Sequence, residues 1–393
     1  MFKFDFDIEE AEDAQDLLSL GIESIKLDDS PSKTTGTEQS TLELEPFSEI
    51  PLKQLLDTLP AIISYSPLSI PLTSSRKSTN FVRRDLFDAR FQLISEGAGD
   101  VVEEPSQQEE QKIMPSSSSG ATRQALAFLD APSDLVPGVY EGGLKTWECS
   151  LDFVDYLDGL KESAEAKSFV GKKTLEIGCG TGVPSMYILR EILSALVGTQ
   201  EVPSKTEIHL QDYNGSVLQL VTLPNLLLTW YTSPHVEKYR SAIDDDEVAP
   251  RIDLSVAGEL PITPDLKASF LDSLESLHIS LRFFSGSWDT FDPRETIGTD
   301  TYDMVLTSET IYRNDSLQPL IELMQSACLG TADGTNTASK EYCCLVAAKV
   351  LYFGVGGGIS DFLKAVESHR ATCSTVLERK AGVGRKIMSV RWP

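Results

Sequence analysis

The distribution of apolar residues divides the 393-residue chain near Gly120. Beyond that point, short apolar runs typical of buried strands alternate with segments of helical spacing. The predicted strands are Lys173–Cys179, Glu207–Leu210, Leu281–Ser285, Asp303–Thr307, Tyr342–Phe353 and Lys386–Trp392. The predicted helices are Pro184–Val197, Ser216–Leu228, Leu317–Leu329 and Ile359–Glu367. This alternation predicts an α/β fold with a mainly parallel sheet and helices on both faces, whose last two strands form an antiparallel edge.

The first 119 residues follow no such pattern. Four apolar residues alternate with polar ones at the start, as in a short strand or a docking peptide: Phe2, Phe4, Phe6 and Ile8. Ser30–Ser40 and Glu96–Gly120 are too polar to bury enough apolar surface to become ordered. We therefore predict an acidic N-terminal region with short motifs and disordered linkers over 1–119, and one folded domain over 120–393. Asp244–Glu247 adds an acidic insertion to that domain, predicted to be an exposed loop.

The net charge of −26 argues against unspecific nucleic-acid binding, which needs cationic side chains facing phosphate. It suits a basic protein partner, or it serves solubility alone. No apolar run is long enough for a transmembrane helix, and the N-terminus lacks the features of a signal peptide. The six cysteines form no CxxC pair, so we expect no metal site and a reducing compartment, cytosol or nucleus. Arg76, Lys77, Arg83 and Arg84 are compatible with a nuclear localisation signal.

The sharpest local motif follows the first strand of the domain. Gly178, Gly180 and Gly182 form a GxGxG loop directly after Glu176. A dinucleotide site would have its third glycine one residue later, and the loop has no lysine for a phosphate. An acidic strand end with a glycine loop suits a cationic, phosphate-free adenosyl ligand, because the carboxylate of Glu176 offsets the ligand's positive charge. A simple glycine turn before a helix is the alternative.

Three further strand ends carry candidate binding residues. Gln211, Asp212 and Tyr213 end the second strand, where a carboxylate accepts ribose hydroxyls in open α/β sheets, although Asp212 is also a plausible helix cap. Gly286, Ser287 and Trp288 follow the third strand, and Trp288 either covers a purine or belongs to the core. Ser308, Glu309 and Tyr312 follow the fourth, where methyl donor and acceptor would meet; Glu309 is otherwise a solvated loop residue.

These motifs, taken in order, resemble the class I seven-stranded methyltransferases with their Rossmann-like sheet. The acidic residue and tyrosine at 309 and 312 resemble those of protein methyltransferases in this class. Further segments are similar to the fungal and animal protein-histidine methyltransferases: Arg83–Gln92, Gly142–Cys149, Gln211–Asn214, Phe283–Trp288, Thr307–Tyr312 and Tyr352–Gly358. Only the low-complexity stretches and the region from Asp244 to Ser276 lie outside this resemblance.

The resemblance implies S-adenosylmethionine as the methyl donor, without a metal. It implies donor contacts from Thr146, Trp147, Glu148, Cys149, Ser150, Gly178, Gln211, Asp212, Tyr213, Gly286, Ser287, Trp288 and Ser308, to which the loop argument adds Glu176 and Gly180. The implied substrate is a histidine of a basic large-subunit ribosomal protein, methylated at the tele nitrogen by a cytoplasmic and nuclear enzyme expected to be a monomer. Glu309 and Tyr312 are the candidate catalytic residues. A lysine methyltransferase of the same group and a non-catalytic ribosome-assembly factor that binds the donor are the alternatives.

Overall fold

The computed structural model of the protein describes residues 45–75, 77–97, 142–162, 169–199, 204–242, 251–292, 300–330, 341–352 and 357–393. Glu43–Pro393 forms one compact unit. The motif Phe2–Ile8, the Ser30–Ser40 segment, the insertion Asp244–Glu247 and the predicted boundary at Gly120 lie outside the described residues, as does nearly all of Glu96–Gly120. These interpretations stay predictions.

Eleven strands are present in the described residues, and eight of them form one large sheet. The strands are β1 Ser48–Ile50, β2 Ile62–Leu72, β3 Lys77–Arg84, β4 Lys173–Ile177, β5 Thr206–Asp212, β6 Gly258–Pro261, β7 Ile279–Ser285, β8 Met304–Ser308, β9 Cys343–Lys349, β10 Thr372–Arg379 and β11 Arg385–Arg391. The large sheet has the order β1-β7-β5-β4-β8-β9-β11-β10. Its five central strands are parallel, and β11 and β10 form an antiparallel edge. The predicted seven-stranded sheet with an antiparallel edge is confirmed, and β1 adds an eighth strand. The edge differs in its members: β9, predicted as one of its two strands, is parallel to β8, and β10 takes its place beside β11.

The helices that were predicted from the spacing of apolar residues are present in the structure. They are α1 Leu52–Asp57, α2 Leu86–Gly97, α3 Glu148–Glu162, α4 Val183–Ala195, α5 Gly215–Val217, α6 Leu223–Tyr231, α7 Glu237–Ala242, α8 Pro264–Ser276, α9 Leu317–Leu329 and α10 Ile359–Ser368. A π-helical turn, Leu218–Thr222, joins α5 to α6. The predicted helix Ser216–Leu228 therefore exists with a local widening that apolar spacing does not reveal.

Alternate residues of strand β9 pack into two separate cores. In β9, Leu345 and Ala347 belong to the core that holds α3 and α4, whereas Cys344 and Val346 belong to the core that holds α9 and α10. Successive side chains of a strand point to opposite faces, so the two cores lie on opposite sides of the sheet. The prediction of helices on both faces is confirmed.

Residues before Gly120 pair directly with strands that follow it. β2 pairs with β3 and also with β6, which makes a second, three-stranded sheet. β1 pairs with β7 at the edge of the large sheet. Arg84, one of the four basic residues considered as a nuclear signal, has a fully buried side chain that pairs with Asp88 at 2.7 Å. Within the described residues, no helix is long and apolar enough to cross a membrane.

Candidate active site

The strand order brings the predicted site residues to one edge of the large sheet. β5 lies on one side of β4 and β8 on the other, so the chain reverses its direction of progress across the sheet at β4. In parallel sheets, ligands bind outside the carboxyl ends of the strands at such a reversal. The glycine loop after β4 and the residues that follow β5, β7 and β8 all occupy this edge.

Positive backbone angles make the glycine loop possible. Gly178, Gly180 and Gly182 have φ angles of 60°, 50° and 68°, a region that side chains disfavour. A Cβ atom on Gly178 would come within 2.5 Å of the Thr310 methyl group, and one on Gly180 within 3.2 Å of the Gly143 carbonyl oxygen. The loop is thus closely covered by two other segments of the chain.

Gln211 connects the glycine loop to the loop after β7. Its side-chain oxygen accepts hydrogen bonds from the Gly178 backbone N–H at 3.2 Å and from the Trp288 indole N–H at 2.8 Å. Its amide nitrogen donates to the Gly286 carbonyl oxygen at 2.9 Å. Gln211 is fully buried, and its amide holds together residues predicted separately from three strand ends.

Asp212 occupies the crevice edge, as predicted. Its Oδ2 accepts the Gly180 N–H at 2.9 Å, and its Oδ1 accepts the Asn214 N–H at 3.1 Å. The next residue, Tyr213, is half-buried. The residue that precedes α5 as its N-cap is Asn214, and no side chain in the described residues caps this helix, so Asp212 is not the helix cap of the alternative interpretation; its bond to a ribose stays a prediction.

The segment before α3 lies against this edge. The Asn214 amide donates to the Gly142 carbonyl oxygen at 3.1 Å, and the Thr146 and Thr181 hydroxyls are 3.2 Å apart. Of the other predicted residues, Trp147 is half-buried, Glu148 exposed and Cys149 fully buried. The Ser150 hydroxyl is turned back to the Trp147 carbonyl oxygen, at 2.6 Å. As donor contacts these residues stay predictions.

Glu176 has a contact that sequence reasoning missed. Its Oε2 accepts the Ser185 backbone N–H at 3.0 Å and the Ser185 hydroxyl at the start of α4. Desolvation is the main cause that raises the pKa of this carboxyl to about 8, against the lowering effect of the Ser185 bonds. At neutral pH such a carboxyl is largely protonated and carries little charge. The structure therefore gives Glu176 a bond within the fold, and its predicted charge effect on a ligand is untested.

Glu309 has a strained backbone and a buried carboxylate. Its φ angle is 58°, uncommon for a residue with a side chain and frequent at functional sites. Its backbone N–H donates to the Ala347 carbonyl oxygen at 2.9 Å. Oε2 accepts the Tyr352 hydroxyl at 2.8 Å, whereas buried Oε1 has no hydrogen-bond partner among the described residues. An unsatisfied buried acceptor costs about 1–3 kcal/mol, so this arrangement requires an explanation.

Lys349, at the carboxyl end of β9, links Glu309 to Trp147 and Glu148, where α3 begins. Its ammonium nitrogen is 3.0 Å from Glu148 Oε2, 3.8 Å from Glu309 Oε1 and 4.5 Å from the centre of the Trp147 ring. Burial, followed by the charge of Glu309 and the direct contact of the thiol with the Glu309 side chain, raises the pKa of the Cys149 thiol far above its ordinary value, so the thiol stays protonated. Sequence reasoning missed Lys349, although the same rule of strand ends, applied to β9, would have found it.

Two further predicted residues, Ser308 and Tyr312, are close to Glu309 in the sequence. Ser308 is half-buried at the end of β8, and the half-buried ring of Tyr312 is 6.3 Å from that of Tyr352. The Tyr312 carbonyl oxygen accepts the Gly357 N–H at 3.0 Å. No group of three or more side chains suited to a metal ion occurs in the part of the chain that the structure describes.

Residues 45–50 cover the loop after β7. Sequence reasoning missed this contact as well. Gly286 has a φ angle of 106°, and a Cβ there would lie 2.8 Å from Phe47 Cα. The Ser287 N–H donates to the Glu45 carbonyl oxygen at 2.9 Å, and the Phe47 ring stacks on Phe284 with centroids 5.4 Å apart. Residues 45–50 are therefore part of the structure that shapes the site.

The chain matches no family model, but its sequence is similar to those of two fungal proteins. It is 35% identical over 285 residues to "Histidine protein methyltransferase 1" of Saccharomyces cerevisiae, covering 72% of this chain and 67% of that protein. It is 32% identical over 342 residues to the protein of the same name from Schizosaccharomyces pombe, covering 84% of this chain and 83% of that one.

Among solved structures, the chain is similar to magnesium protoporphyrin IX methyltransferase from Synechocystis with bound SAM. The identity is 8% and the TM-score 0.31, over 61% of this chain and 78% of that one. That likeness is too distant to bear on substrate or mechanism. The two fungal relatives are each more than 30% identical over at least two thirds of their own length. The chain belongs to the histidine protein methyltransferase 1 family.

Proposed function

We propose that this protein transfers a methyl group from S-adenosylmethionine to the tele nitrogen of a histidine in a basic large-subunit ribosomal protein. The observation that carries the proposal is the buried carboxylate of Glu309, with one oxygen bonded to Tyr352 and the other without a hydrogen-bond partner among the described residues. It stands at the sheet edge beside the glycine loop. Membership of the family supports histidine as the acceptor.

The glycine loop and its neighbours fit the donor. Cβ atoms at Gly178 and Gly180 would collide with Thr310 and Gly143, so only glycines allow the loop after β4 to lie this close to them, and a buried carboxylate, Asp212, ends the neighbouring strand. Gly178, Gly180, Gln211, Asp212, Gly286 and Trp288 would hold the adenosyl and amino-acid parts. When bound, the donor supplies an electrophilic methyl group on a sulfonium sulfur.

Histidine needs little chemical help from the protein. Near neutral pH most of an unperturbed imidazole is unprotonated and has a free lone pair, whereas lysine must first lose a proton from a group of pKa about 10.4. If Glu309 Oε1 accepts the N–H of the pros nitrogen, the lone pair of the tele nitrogen is left to react. That nitrogen forms the N–C bond as the C–S bond breaks, and the resulting imidazolium releases its remaining N–H proton to water. Orientation then supplies most of the rate enhancement.

The net charge of −26 supports a basic protein as the substrate. Complementary charge speeds the encounter of two proteins and disfavours acidic competitors. A basic large-subunit ribosomal protein meets this requirement. The pairing also predicts that the rate at low substrate concentration falls as salt is added.

The test is a methylation assay with a purified basic ribosomal protein and donor labelled on its methyl group. Acid hydrolysis followed by separation of the two methylhistidine isomers and methyl-lysine identifies the product. We expect tele-methylhistidine, and none from a Gly178→Arg variant, in which a large side chain fills the loop. Methyl-lysine as the labelled product would identify the protein as a lysine methyltransferase. Donor binding without turnover would identify it as a non-catalytic binding factor.

The pH dependence gives a second, independent criterion. A neutral imidazole nucleophile with a pKa of about 6.5 predicts a nearly flat rate between pH 7 and 9. An unperturbed lysine acceptor would gain roughly tenfold per pH unit in that window, because its free-amine fraction does. A steadily rising rate would contradict the histidine assignment.

A further inference from the structure

Tyr352 lies just beyond β9, and its hydroxyl is held from two sides. The oxygen accepts the Lys349 backbone N–H at 3.2 Å, and the hydroxyl donates to Glu309 Oε2 at 2.8 Å. A hydroxyl that accepts from a rigid backbone group can donate in only a few directions. The Tyr352 proton is therefore directed at one oxygen of one carboxylate.

The same residue also keeps its proton. Burial, reinforced by the negative charge of Glu309, raises the pKa of the Tyr352 hydroxyl well above its ordinary value. Tyr352 thus acts as a hydrogen-bond donor over the whole range in which the protein works, and not as a base. Its effect on the site is geometric.

The two oxygens of Glu309 are consequently not equivalent. Oε2 is occupied by Tyr352, while Oε1 is buried without a hydrogen-bond partner among the described residues and has its nearest ion-pair contact, Lys349 Nζ, at 3.8 Å. The left-handed backbone of Glu309 and its bond to Ala347 fix where the side chain starts. With both ends fixed, the carboxylate keeps Oε1 as its one spare acceptor; this oxygen is buried, so a substrate ring reaches it only once the side chains that cover it have moved aside.

We propose that Tyr352 is a positioning residue that sets which nitrogen of the substrate imidazole is methylated. By occupying Oε2 it leaves Oε1 to accept the ring N–H, which holds one tautomer with the other nitrogen towards the donor. This inference rests on the proposed function, since it assumes a histidine acceptor oriented by Glu309. Without the hydroxyl, the carboxylate can turn and either oxygen can accept, so both ring orientations become possible.

The experiment compares Tyr352→Phe with Tyr342→Phe in the full-length chain. Tyr342 is a matched control, because its hydroxyl also accepts a backbone N–H, that of Trp392 at 2.7 Å, but it precedes β9 at the opposite end of that strand. We expect kcat of Tyr352→Phe to fall roughly ten- to hundredfold with little change in KM, as for a misplaced reacting group. The share of pros-methylhistidine in its product should rise, while Tyr342→Phe should give the wild-type isomer ratio and kcat.

A double-mutant cycle separates this role from a general loss of structure. If Tyr352 acts through Glu309, adding Tyr352→Phe to Glu309→Gln should cost no further activity and change no isomer ratio beyond the single variant. Rates are expressed per donor-binding protein, so a partly unfolded variant still gives a result. An unchanged isomer ratio and kcat in Tyr352→Phe, or losses that simply add in the double variant, would overturn the proposal.

The products of the wild-type protein show whether the proposed function itself fails or only the role of Tyr352. If wild-type protein gives no methylhistidine at all, both the proposed function and this inference fall. If the wild type gives tele-methylhistidine and Tyr352→Phe behaves like Tyr342→Phe, only the inference falls.

Discussion

The indole N–H of Trp288 donates to the side-chain oxygen of Gln211 at 2.8 Å, so the loop after β7 is tied to the end of β5. The same oxygen accepts the Gly178 N–H from the loop after β4. A buried amide thus fixes the relative positions of three loops that the sequence presents as separate motifs. This explains how strand ends far apart in the chain can form one site.

Replacing Gln211 by alanine should weaken donor binding, because it removes the amide that connects the three loops. The substitution leaves the partly buried N–H groups of Gly178 and Trp288 without their acceptor, at a cost of at most about 1–3 kcal/mol each. We expect donor binding to weaken roughly ten- to hundredfold, measured by calorimetric titration. Gln92→Ala is the control, because Gln92 is also buried but donates to the Thr58 carbonyl oxygen. Equal donor affinities in the two variants would remove Gln211 from this role.

Gly286→Ala should detach residues 45–50 from the sheet edge. The new Cβ would meet the backbone of Pro46 and Phe47, which cannot move without breaking the pairing of β1 with β7. We expect a loss of about 1–3 kcal/mol in the free energy of unfolding beyond that of Gly382→Ala. Gly382 also has a positive φ, 65°, but nothing lies within 4 Å of its would-be Cβ. Chemical denaturation measures this difference. Equal losses of unfolding free energy in the two variants would show that residues 45–50 can move aside without a cost in stability.

A chain shortened to begin at Gly120 should fold poorly, whereas one that begins at Glu43 should fold normally. The first lacks β1, β2 and β3, which contribute fully buried side chains such as Ile63 and Ile70 to the core shared with α4. Each such side chain stabilises the native state by about 1.5–3 kcal/mol. Thermal unfolding of both chains tests this. A cooperative transition at the same midpoint for the shorter chain would instead support the domain boundary predicted from composition.

The sequence predicted the large sheet well because its central strands are short, apolar and separated by amphipathic helices. β1, β2, β3 and β6 were missed, since each contains prolines or many polar residues or is only a few residues long. The pairing of β1 and β6 is also non-local, and β6 meets β2 across almost two hundred residues. β10 was missed because its side chains are mostly exposed and show no apolar alternation.

The site residues were predictable where a strand-end rule or a glycine motif applies. Gly178, Gly180, Gln211, Asp212, Gly286 and Trp288 all lie at the expected edge. Contacts that depend on side-chain direction were not predictable. Nothing in the sequence indicates that Glu176 turns towards Ser185, or that Glu309 turns towards Tyr352.

Glu176→Gln should change how stability depends on pH. The folded-state pKa of about 8 lies above the ordinary value of 4.5, so between these values the folded state binds more protons than the unfolded state. Wild-type stability should therefore fall as pH rises through this window, by up to about 1.4 kcal/mol per unit from this group. The glutamine variant keeps an acceptor for the Ser185 N–H and should lack that contribution. Urea denaturation at pH 6, 7 and 8 compares the slopes, and identical slopes would contradict the raised pKa.

The same variant tests the charge role predicted for Glu176. A carboxyl that is largely protonated at pH 7 should matter little to donor affinity there, so Glu176→Gln should bind the donor about as well as wild type. A large loss of affinity at pH 7, with the fold intact, would show that a charged Glu176 is needed after all.

Lys349→Met should lower both the stability of the protein and its affinity for the donor. Methionine keeps the apolar stem but removes the charge that lies between Glu148 and Glu309, and it leaves the buried Glu309 carboxylate without its nearest cation. Because the Lys349 side chain is only 15% exposed, its pairs are screened less than surface pairs. We expect a loss of about 1–3 kcal/mol in the free energy of unfolding, below the range for fully buried pairs. Lys364→Met is the control, since Lys364 is 76% exposed and its pair with Asp361 should contribute at most about 1 kcal/mol.

Lys349→Arg separates the two consequences of that substitution. Arginine restores the positive charge and can still lie over the Trp147 ring, but its planar group cannot occupy the same point between the two carboxylates. Stability should therefore recover more fully than activity, because activity also requires that the Glu309 carboxylate keeps its orientation. The free energy of unfolding, the donor Kd and kcat are measured for both variants and the control. If arginine restores all three equally, Lys349 acts only as a charge; if methionine changes none of them, the link between Trp147–Glu148 and Glu309 has no energetic importance.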